Sequence, residues 1–197
     1  MSRQVNDDAL DIMFRQARTQ NKWWDRPVSD AQLRAIYELM KMGPTTANST
    51  PMRILFLRSQ AAKERLKPAL SKGNTAKTMQ APVTAILGYD RQFYDFLPRL
   101  FAHNQAARSW FAGDQAAADV HALRNGSIQG GYFILAARAV GLDCGPMSGF
   151  DNAKVDAEFF PDGRVKSNFI CSLGHGDPSV LFPRNERLAF EEACRIL

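Results

Sequence analysis

Four short polar segments of the sequence carry residue types that bind charged or polar small molecules. They are residues 18–22, the polar loop of residues 43–51, the glycine-rich segment of residues 141–151, and residues 184–188. An arginine beside a hydroxyl, as at Arg18 and Thr19, can hold a phosphate through charge-assisted hydrogen bonds. The polar loop offers small hydroxyl and amide side chains. The glycine-rich segment offers backbone N–H groups that glycine leaves accessible to a ligand. Singly, each segment also fits a solvated helix end or a polar turn.

The sequence lacks the motifs of several other common binding sites and catalytic sites. The sequence contains no GxGxxG after a strand, no P-loop, no HExxH and no GxSxG. The histidines stand far apart and the 3 cysteines form no CxxC pair, so we predict no metal site and no catalytic thiol. An odd number of dispersed cysteines suits a reducing compartment.

Composition indicates a folded protein. With 197 residues, 45% of them hydrophobic and 23% charged, the chain is predicted to form one domain over residues 1–197 rather than a disordered or fibrous segment. The opening ten residues lack signal-peptide features, and no apolar run is long enough to cross a membrane, so we expect a cytoplasmic protein without a membrane partner. The net charge of +5 favours anionic ligands, but the basic residues are scattered, so no nucleic-acid partner is predicted.

The pattern of apolar residues predicts the elements that position these segments. We expect helices over residues 8–20, from a Ser29–Gln32 capping box to residues 43–44, over 60–71 with a break at Pro68, over 114–140, and over 151–159. Strands are expected over residues 53–58, 82–89 and 166–173. Residues 90–113 are aromatic and basic without a clear period, and residues 188–197 form a tail. Helices outnumber strands, which predicts an α+β layered domain.

Two of the segments resemble signatures of a known family. Residues 44–48, PTTAN, resemble the P-S/T-S/T-x-N loop of the FMN-dependent nitroreductase superfamily, and GLDCGPMSGFD at residues 141–151 is similar to its GLG-x-x-P-x-x-G-F-D signature. The resemblance covers nearly the whole chain. It implies a three-layer nitroreductase-like fold with a central mixed or antiparallel sheet flanked by helices, in an intertwined homodimer.

Further strings resemble one branch of that superfamily, the malonic semialdehyde reductases of pyrimidine catabolism. They are MKMGPTTAN, SKGNTAKTMQAPVTAI, ARSWF and GPMSGFD. ARSWF, residues 107–111, lies in the part that varies most between branches and therefore carries most of this assignment.

The resemblance implies positions for an FMN cofactor. Arg18, Thr19 and Arg187 would lie near its phosphate, and Asn74 and Lys77 beside the pyrimidine edge of the flavin ring. The backbone N–H groups at two positions would face the N5/O4 edge, namely Ser148 and Gly149. Residues of the polar loop would contact the flavin of the partner subunit: Thr45, Thr46 and Asn48. The further FMN contacts are Asn21, Pro44 and Pro146.

The sequence departs from the family pattern at the phosphate end. Ala17 and Asn21 stand where family members carry cations, and Asn185 stands where many carry a lysine. This loss of charge predicts that FMN is partly lost on purification.

The resemblance also implies a reaction. NADPH, or NADH, would reduce FMN, and malonic semialdehyde would then be reduced to 3-hydroxypropionate. Since the flavin supplies the chemistry, no catalytic residue is assigned with certainty. Lys77 would stabilise negative charge on the reduced flavin. Arg108 is a candidate clamp for the substrate carboxylate, or else forms a surface salt bridge, while Trp110 and Phe111 would exclude water.

Two other functions fit the same sequence. One is a general reductase of nitroaromatics, quinones or enones, and the other is an FMN-binding or basic interaction protein without turnover. In any of them, Gly126, Gly130 and Gly131 within one long helix predict very close packing. Because an intertwined dimer requires such an approach, we expect an obligate homodimer that takes a small-molecule substrate.

Overall fold

A four-stranded antiparallel sheet lies at the centre of the computed structural model, which describes residues 4–197. Residues 1–3 begin the stretch in which no signal peptide was expected, and they lie outside the described residues. In chain order the strands are β1, Met52–Leu57; β2, Val83–Asp90; β3, Asp143–Met147; and β4, Val165–Gly174. Their order across the sheet is β1-β2-β4-β3, and every neighbouring pair is antiparallel.

Eight α-helices connect and cover the strands within residues 4–197. They are α1, Asp7–Leu10; α2, Asp30–Met40; α3, Gln60–Leu66; α4, Lys72–Gln80; α5, Leu97–Leu100; α6, Gln115–Ala139; α7, Asn152–Phe159; and α8, Phe190–Ala193. None of the helices in the described part of the chain is long and apolar enough to cross a membrane.

Both faces of the sheet are buried, so the fold has three layers. On one face, α2 and α6 pack on Ala85 and Leu87 of β2. On the other, α3 and α7 pack on Ile86 of the same strand. A strand buried on both faces is rich in apolar residues, as residues 83–87 are apart from Thr84, which is also fully buried. The predicted α+β class, with more helices than strands, is confirmed.

Several predicted elements are confirmed with shifts of a residue or two at their ends. Ser29 and Gln32 form both hydrogen bonds of the capping box before α2. The Asp114 side chain caps α6, and α3 ends at Leu66, just before the predicted break at Pro68. The helix predicted over residues 8–20 is shorter, since α1 continues as a π-helix only through Arg15.

Four elements were missed: the short helices α5 and α8, which lie in the segment without a clear period and in the predicted tail, and the two longer elements β3 and α4. The glycine-rich segment was expected to be a loop, but it contains β3, because a proline such as Pro146 is tolerated on an edge strand. Helix α4 was hidden by weak helix formers in GNTAKT and is held by tertiary contacts. One of these comes from the buried Lys63, whose Nζ donates to the carbonyls of Met79 and Ala81 at 2.8 and 2.9 Å.

The glycines of α6 pack mainly against the chain's own sheet. A Cβ on Gly130 would lie 2.5 Å from the ring of Phe169, and one on Gly126 would lie 3.3 Å from Cβ of Tyr89. For Gly131 the expected close packing is wrong within this chain, since nothing lies within 4 Å. The close approach of α6 is therefore intramolecular, and these glycines do not themselves indicate a dimer.

Candidate cofactor site

A cavity of about 380 Å³ lies where the chain's first helical segment, the end of α6 and the C-terminal tail meet. Its lining contains four arginines and no carboxylate. The lining residues are Phe14, Ala17, Arg18, Thr19, Arg138, Arg184, Asn185 and Arg187. The structure thus brings Arg18, Thr19 and Arg187 together around one space, although Arg187 lies far from the other two in sequence.

Reciprocal hydrogen bonds from arginines fix the tail at this cavity. Arg18 donates to the carbonyl of Phe182, and Nη2 of Arg184 donates to the carbonyls of Arg15 and Ala17 at 2.8 and 2.9 Å. The extended segment containing Arg18 is held in turn by a parallel bridge between Thr19 and Cys144 of β3. The missed strand β3 therefore helps to position Arg18 and Thr19 at the cavity.

Charge in this arginine cavity is uncompensated by protein carboxylates. Among the ion pairs formed within residues 4–197, none involves the cavity's four arginines. Their anchoring bonds go to backbone carbonyls, as Nη1 of Arg138 does to Met13 at 2.7 Å. Guanidinium groups held in this way present further N–H donors in a geometry that matches a phosphate.

Two of the four arginines were not assigned a role from the sequence. Arg138 is the one charged residue in an apolar run of α6, and this isolated positive charge could have marked it as a candidate anion-binding residue. Arg184 belongs to the C-terminal polar segment, but its pairing with residues 15 and 17 depends on tertiary structure. The expected partial loss of FMN followed from Ala17, Asn21 and Asn185 and did not count the guanidinium groups of Arg138 and Arg184.

A second group of predicted residues meets where α4 contacts the end of β3. Nδ2 of Asn74 donates to the carbonyl of Gly149 at 2.9 Å, and Nζ of Lys77 donates to Oδ1 of Asn21 at 3.3 Å. Asn21 thus lies beside Lys77 rather than among the residues lining the arginine cavity. Ser148 is exposed next to Gly149.

Gly149 packs closely against the side chains of Asn74 and Ser71. A Cβ there would lie 2.6 Å from Nδ2 of Asn74 and 2.8 Å from Oγ of Ser71. The backbone N–H of Ser71 also donates to the Gly149 carbonyl, at 3.1 Å. Pro146, three residues earlier, pairs with Cys171 within the sheet and is half-buried.

The polar loop adopts a strained conformation away from these groups. Ala47, Asn48 and Thr50 have φ values of 53°, 48° and 38°, which cost roughly 1–3 kcal/mol each for residues other than glycine. Thr46 and Asn48 are exposed beyond Pro44, while Oγ1 of Thr45 accepts from the N–H of Thr50 at 3.1 Å.

The loop and the arginine cavity do not meet within one chain. Asn48 and Thr50 line a separate groove with α2 and β1, and that groove shares no lining residue with the arginine cavity. The thirteen predicted FMN residues therefore fall in at least two places on the surface of this chain.

Arg108 is engaged with a carboxylate. Its Nη2 lies 3.1 Å from Oδ1 of Asp95, and its guanidinium lies over the ring of Tyr94. Trp110 is half-exposed, whereas Phe111 packs edge-on against Phe93 with ring centroids 5.0 Å apart. The salt bridge considered as the alternative role of Arg108 is thus formed in this structure.

Proteins similar in sequence match nearly the whole length of this chain. The Nitroreductase family matches residues 15–175. A protein of Ralstonia nicotianae, described as a candidate NADH dehydrogenase/NAD(P)H nitroreductase, is 60% identical over 193 residues, which are 98% of each chain. The similarly described HadB of Ralstonia pickettii is 58% identical over 190 residues, 95% of this chain and 97% of its own.

A solved structure shares the architecture at low sequence identity. It is a candidate nitroreductase of Exiguobacterium sibiricum in complex with FMN, with a TM-score of 0.87 and 17% identity. The superposition covers 100% of both chains. At this identity the likeness shows the fold, which is the three-layer nitroreductase fold expected from the sequence.

Proposed function

The chain belongs to the nitroreductase family, as its loop motifs predicted, and we propose that it is an NAD(P)H-dependent FMN oxidoreductase that reduces malonic semialdehyde to 3-hydroxypropionate. The observation that carries the cofactor assignment is the cavity lined by four arginines and no carboxylate. A phosphate monoester with about two negative charges matches such a donor set.

The residues present fit FMN at two of its parts. Arg18, Arg138, Arg184 and Arg187 would bind the phosphate. Asn74 and Lys77 would bind the polar edge of the ring, beside Ser148 and Gly149 at the end of β3.

Residues of the chain would bind and shield the cofactor rather than react. When bound, FMN supplies hydride transfer from NAD(P)H to a second substrate. Lys77 uses one donor on Asn21 and keeps two for the ring, where its charge would stabilise negative charge. Trp110, half-exposed on the aromatic segment, would exclude water from the substrate.

The substrate proposal depends on recognition of a carboxylate. Malonic semialdehyde is an anion, and the ARSWF string supplies Arg108 as its candidate clamp. Asp95 holds that guanidinium at 3.1 Å, so substrate would compete with or share this ion pair. Replacing Arg108 with alanine should raise KM for the aldehyde without changing flavin reduction by NADPH. Arg65, which pairs with Glu158 and lies over the ring of Phe159, is the matched control, and an unchanged KM in Arg108→Ala would overturn the clamp.

We also propose a homodimer. Helix α6 presents four exposed apolar side chains that a second copy would bury: Val120, Leu123, Ile128 and Tyr132. Because the polar loop and the arginine cavity lie apart on one chain, a complete flavin site requires a loop from the partner.

An anaerobic experiment tests the reaction. The FMN-loaded protein is bleached with one equivalent of NADPH and then mixed with malonic semialdehyde while flavin absorbance is followed. Return of the yellow colour supports the proposed substrate. Bleaching that reverses only with a quinone or nitroaromatic would instead support a general reductase, as the names of the Ralstonia relatives suggest. A protein that binds no FMN would overturn the proposal.

A further inference from the structure

One face of α6 hydrogen-bonds the polar loop of residues 43–51 and the residue that follows it. Oδ1 of Asn125 accepts from the backbone N–H of Thr46 at 2.8 Å. Four residues later on the helix, Oε1 of Gln129 accepts from the N–H of Met52 at 2.9 Å. Residues at this spacing lie on the same helix face. The helix therefore contacts the loop's first turn and the residue that follows the loop.

His121 adds a third contact one turn earlier in α6. Its Nε2 lies 3.2 Å from Oγ of Ser49, which is buried in the middle of the loop. The imidazole is stacked on Phe93 and also packs against Phe111. The three contacts thus follow the helix at positions i, i+4 and i+8.

Both amide side chains are nearly inaccessible to water. Asn125 is 1% exposed and Gln129 is 3% exposed, so no solvent molecule replaces either acceptor without rearrangement. The loop between them contains three residues other than glycine with positive φ. Such conformations persist where the surroundings over-determine them. The hydrogen bonds from α6 can therefore hold the loop residues in these conformations.

We propose that Asn125 and Gln129, together with His121, are positioning residues that hold the polar loop in its flavin-binding shape. Asn125 accepts from the loop backbone and its Nδ2 donates to the carbonyl of His121, so its hydrogen bonds go to the protein and not to a ligand. Thr46 and Asn48 of the same loop remain exposed. This inference rests on the proposed function, because it assigns α6 a part in FMN binding.

The test compares FMN dissociation constants of folded variants, measured by quenching of FMN fluorescence. Asn125→Ala removes the acceptor for Thr46 and should raise the dissociation constant about tenfold. Because Nδ2 of Asn125 also donates to the carbonyl of His121 at 2.9 Å, the rescue variant is Asn125→Ser, which keeps a neutral hydroxyl able to donate and accept and should lose less affinity than Asn125→Ala. A general loss of helix stability would not be rescued in this way, and circular dichroism confirms that each variant is folded.

The matched control lies on the same helix. Oγ of Ser127 accepts from Nδ2 of Asn168 at 3.0 Å, so Ser127→Ala also removes a side-chain hydrogen bond of α6, but one that goes to β4. It should leave FMN affinity unchanged. If Asn125→Ala does not fold, Ser49→Ala tests the same inference through the His121 contact, with an expected loss of about threefold.

The outcomes separate the inference from the proposed function. A wild-type protein that binds no FMN would overturn both. Wild-type binding with unchanged affinity in folded Asn125→Ala would overturn the positioning role alone. An equal loss of affinity in Asn125→Ser and Asn125→Ala, or an equal loss in Ser127→Ala, would do the same, because either result indicates a general effect on α6.

Discussion

The side-chain amide of Asn74 donates a hydrogen bond to the carbonyl of Gly149 at 2.9 Å, joining residues 75 positions apart. The backbone N–H of Ser71 donates to the same carbonyl at 3.1 Å. These bonds connect the start of α4 to the segment that follows β3. The proposed contacts to the flavin ring therefore depend on how two separate elements are joined, rather than on one loop.

Replacing Gly149 with alanine should break this connection. The new Cβ would lie 2.6 Å from Nδ2 of Asn74, so the Asn74 side chain must move and lose its acceptor. We expect FMN affinity to fall about fivefold to tenfold, as in Asn74→Ala, because each variant loses one hydrogen bond. Fluorescence quenching of FMN measures the change.

Gly73 provides the control for that substitution. It lies in α4 beside Asn74, and nothing lies within 4 Å of where its Cβ would be. Gly73→Ala should keep FMN affinity and raise the free energy of unfolding by about 0.5–1 kcal/mol. Equal FMN affinity in Gly149→Ala and Gly73→Ala would contradict the role of the Asn74–Gly149 bond.

The arginine cavity predicts a charge-dependent affinity. Arg138→Ala should weaken FMN binding about tenfold or more, since one charge-assisted hydrogen bond contributes roughly 1.5–3 kcal/mol. Wild-type affinity should also decrease with added salt. Lys154→Ala removes the same charge from the exposed face of α7 and should have little effect. Equal FMN affinities for Arg138→Ala and Lys154→Ala, measured by titration, would show that Arg138 does not bind the phosphate.

His121 predicts a specific pH dependence of stability. Burial, with a smaller contribution from the charge of Arg124, lowers the pKa of His121 below 6.5. Below about pH 6.5 the unfolded chain therefore binds more protons at this position than the folded chain, so stability should decrease as the pH falls. The aromatic rings of Phe93 and Phe111 pack on the same imidazole.

Urea denaturation at about pH 7.5 and 5.5 measures this effect. His121→Gln does not titrate and should lose less stability over that interval than the wild type. His103→Gln, at an exposed position, should behave as the wild type does. Identical pH dependence in His121→Gln and the wild type would contradict the contribution of His121.

Local signals predicted much of the fold. Apolar runs and capping residues gave three strands, α2 and α6, because burial and capping act within a few residues. Helix α4 escaped prediction because Lys63 and the Gly149 carbonyl stabilise it from elsewhere in the chain. The family motifs indicated Arg18 and Arg187 because these residues belong to recognisable local segments. Arg138 lies in no such segment, and it reaches the cavity because the end of α6 packs beside the C-terminal tail.

Mixed dimers test whether each flavin site combines two chains. Arg187→Ala damages the arginine cavity, and Asn125→Ala damages the support of the polar loop. In each homodimer both sites carry one defect. If the loop serves the partner's flavin, a mixed dimer has one site with both defects and one with neither. Half of its sites should then bind FMN with wild-type affinity.

The measurement is an FMN titration of differently tagged chains, coexpressed and purified as the mixed dimer. A mixture of the two separate homodimers is the control and should contain no wild-type site. If the loop instead serves the flavin of its own chain, the mixed dimer has one defect in each site and its titration matches that control. A wild-type chain that is monomeric by light scattering at micromolar concentration would contradict the shared site directly, because the polar loop and the arginine cavity lie apart on one chain.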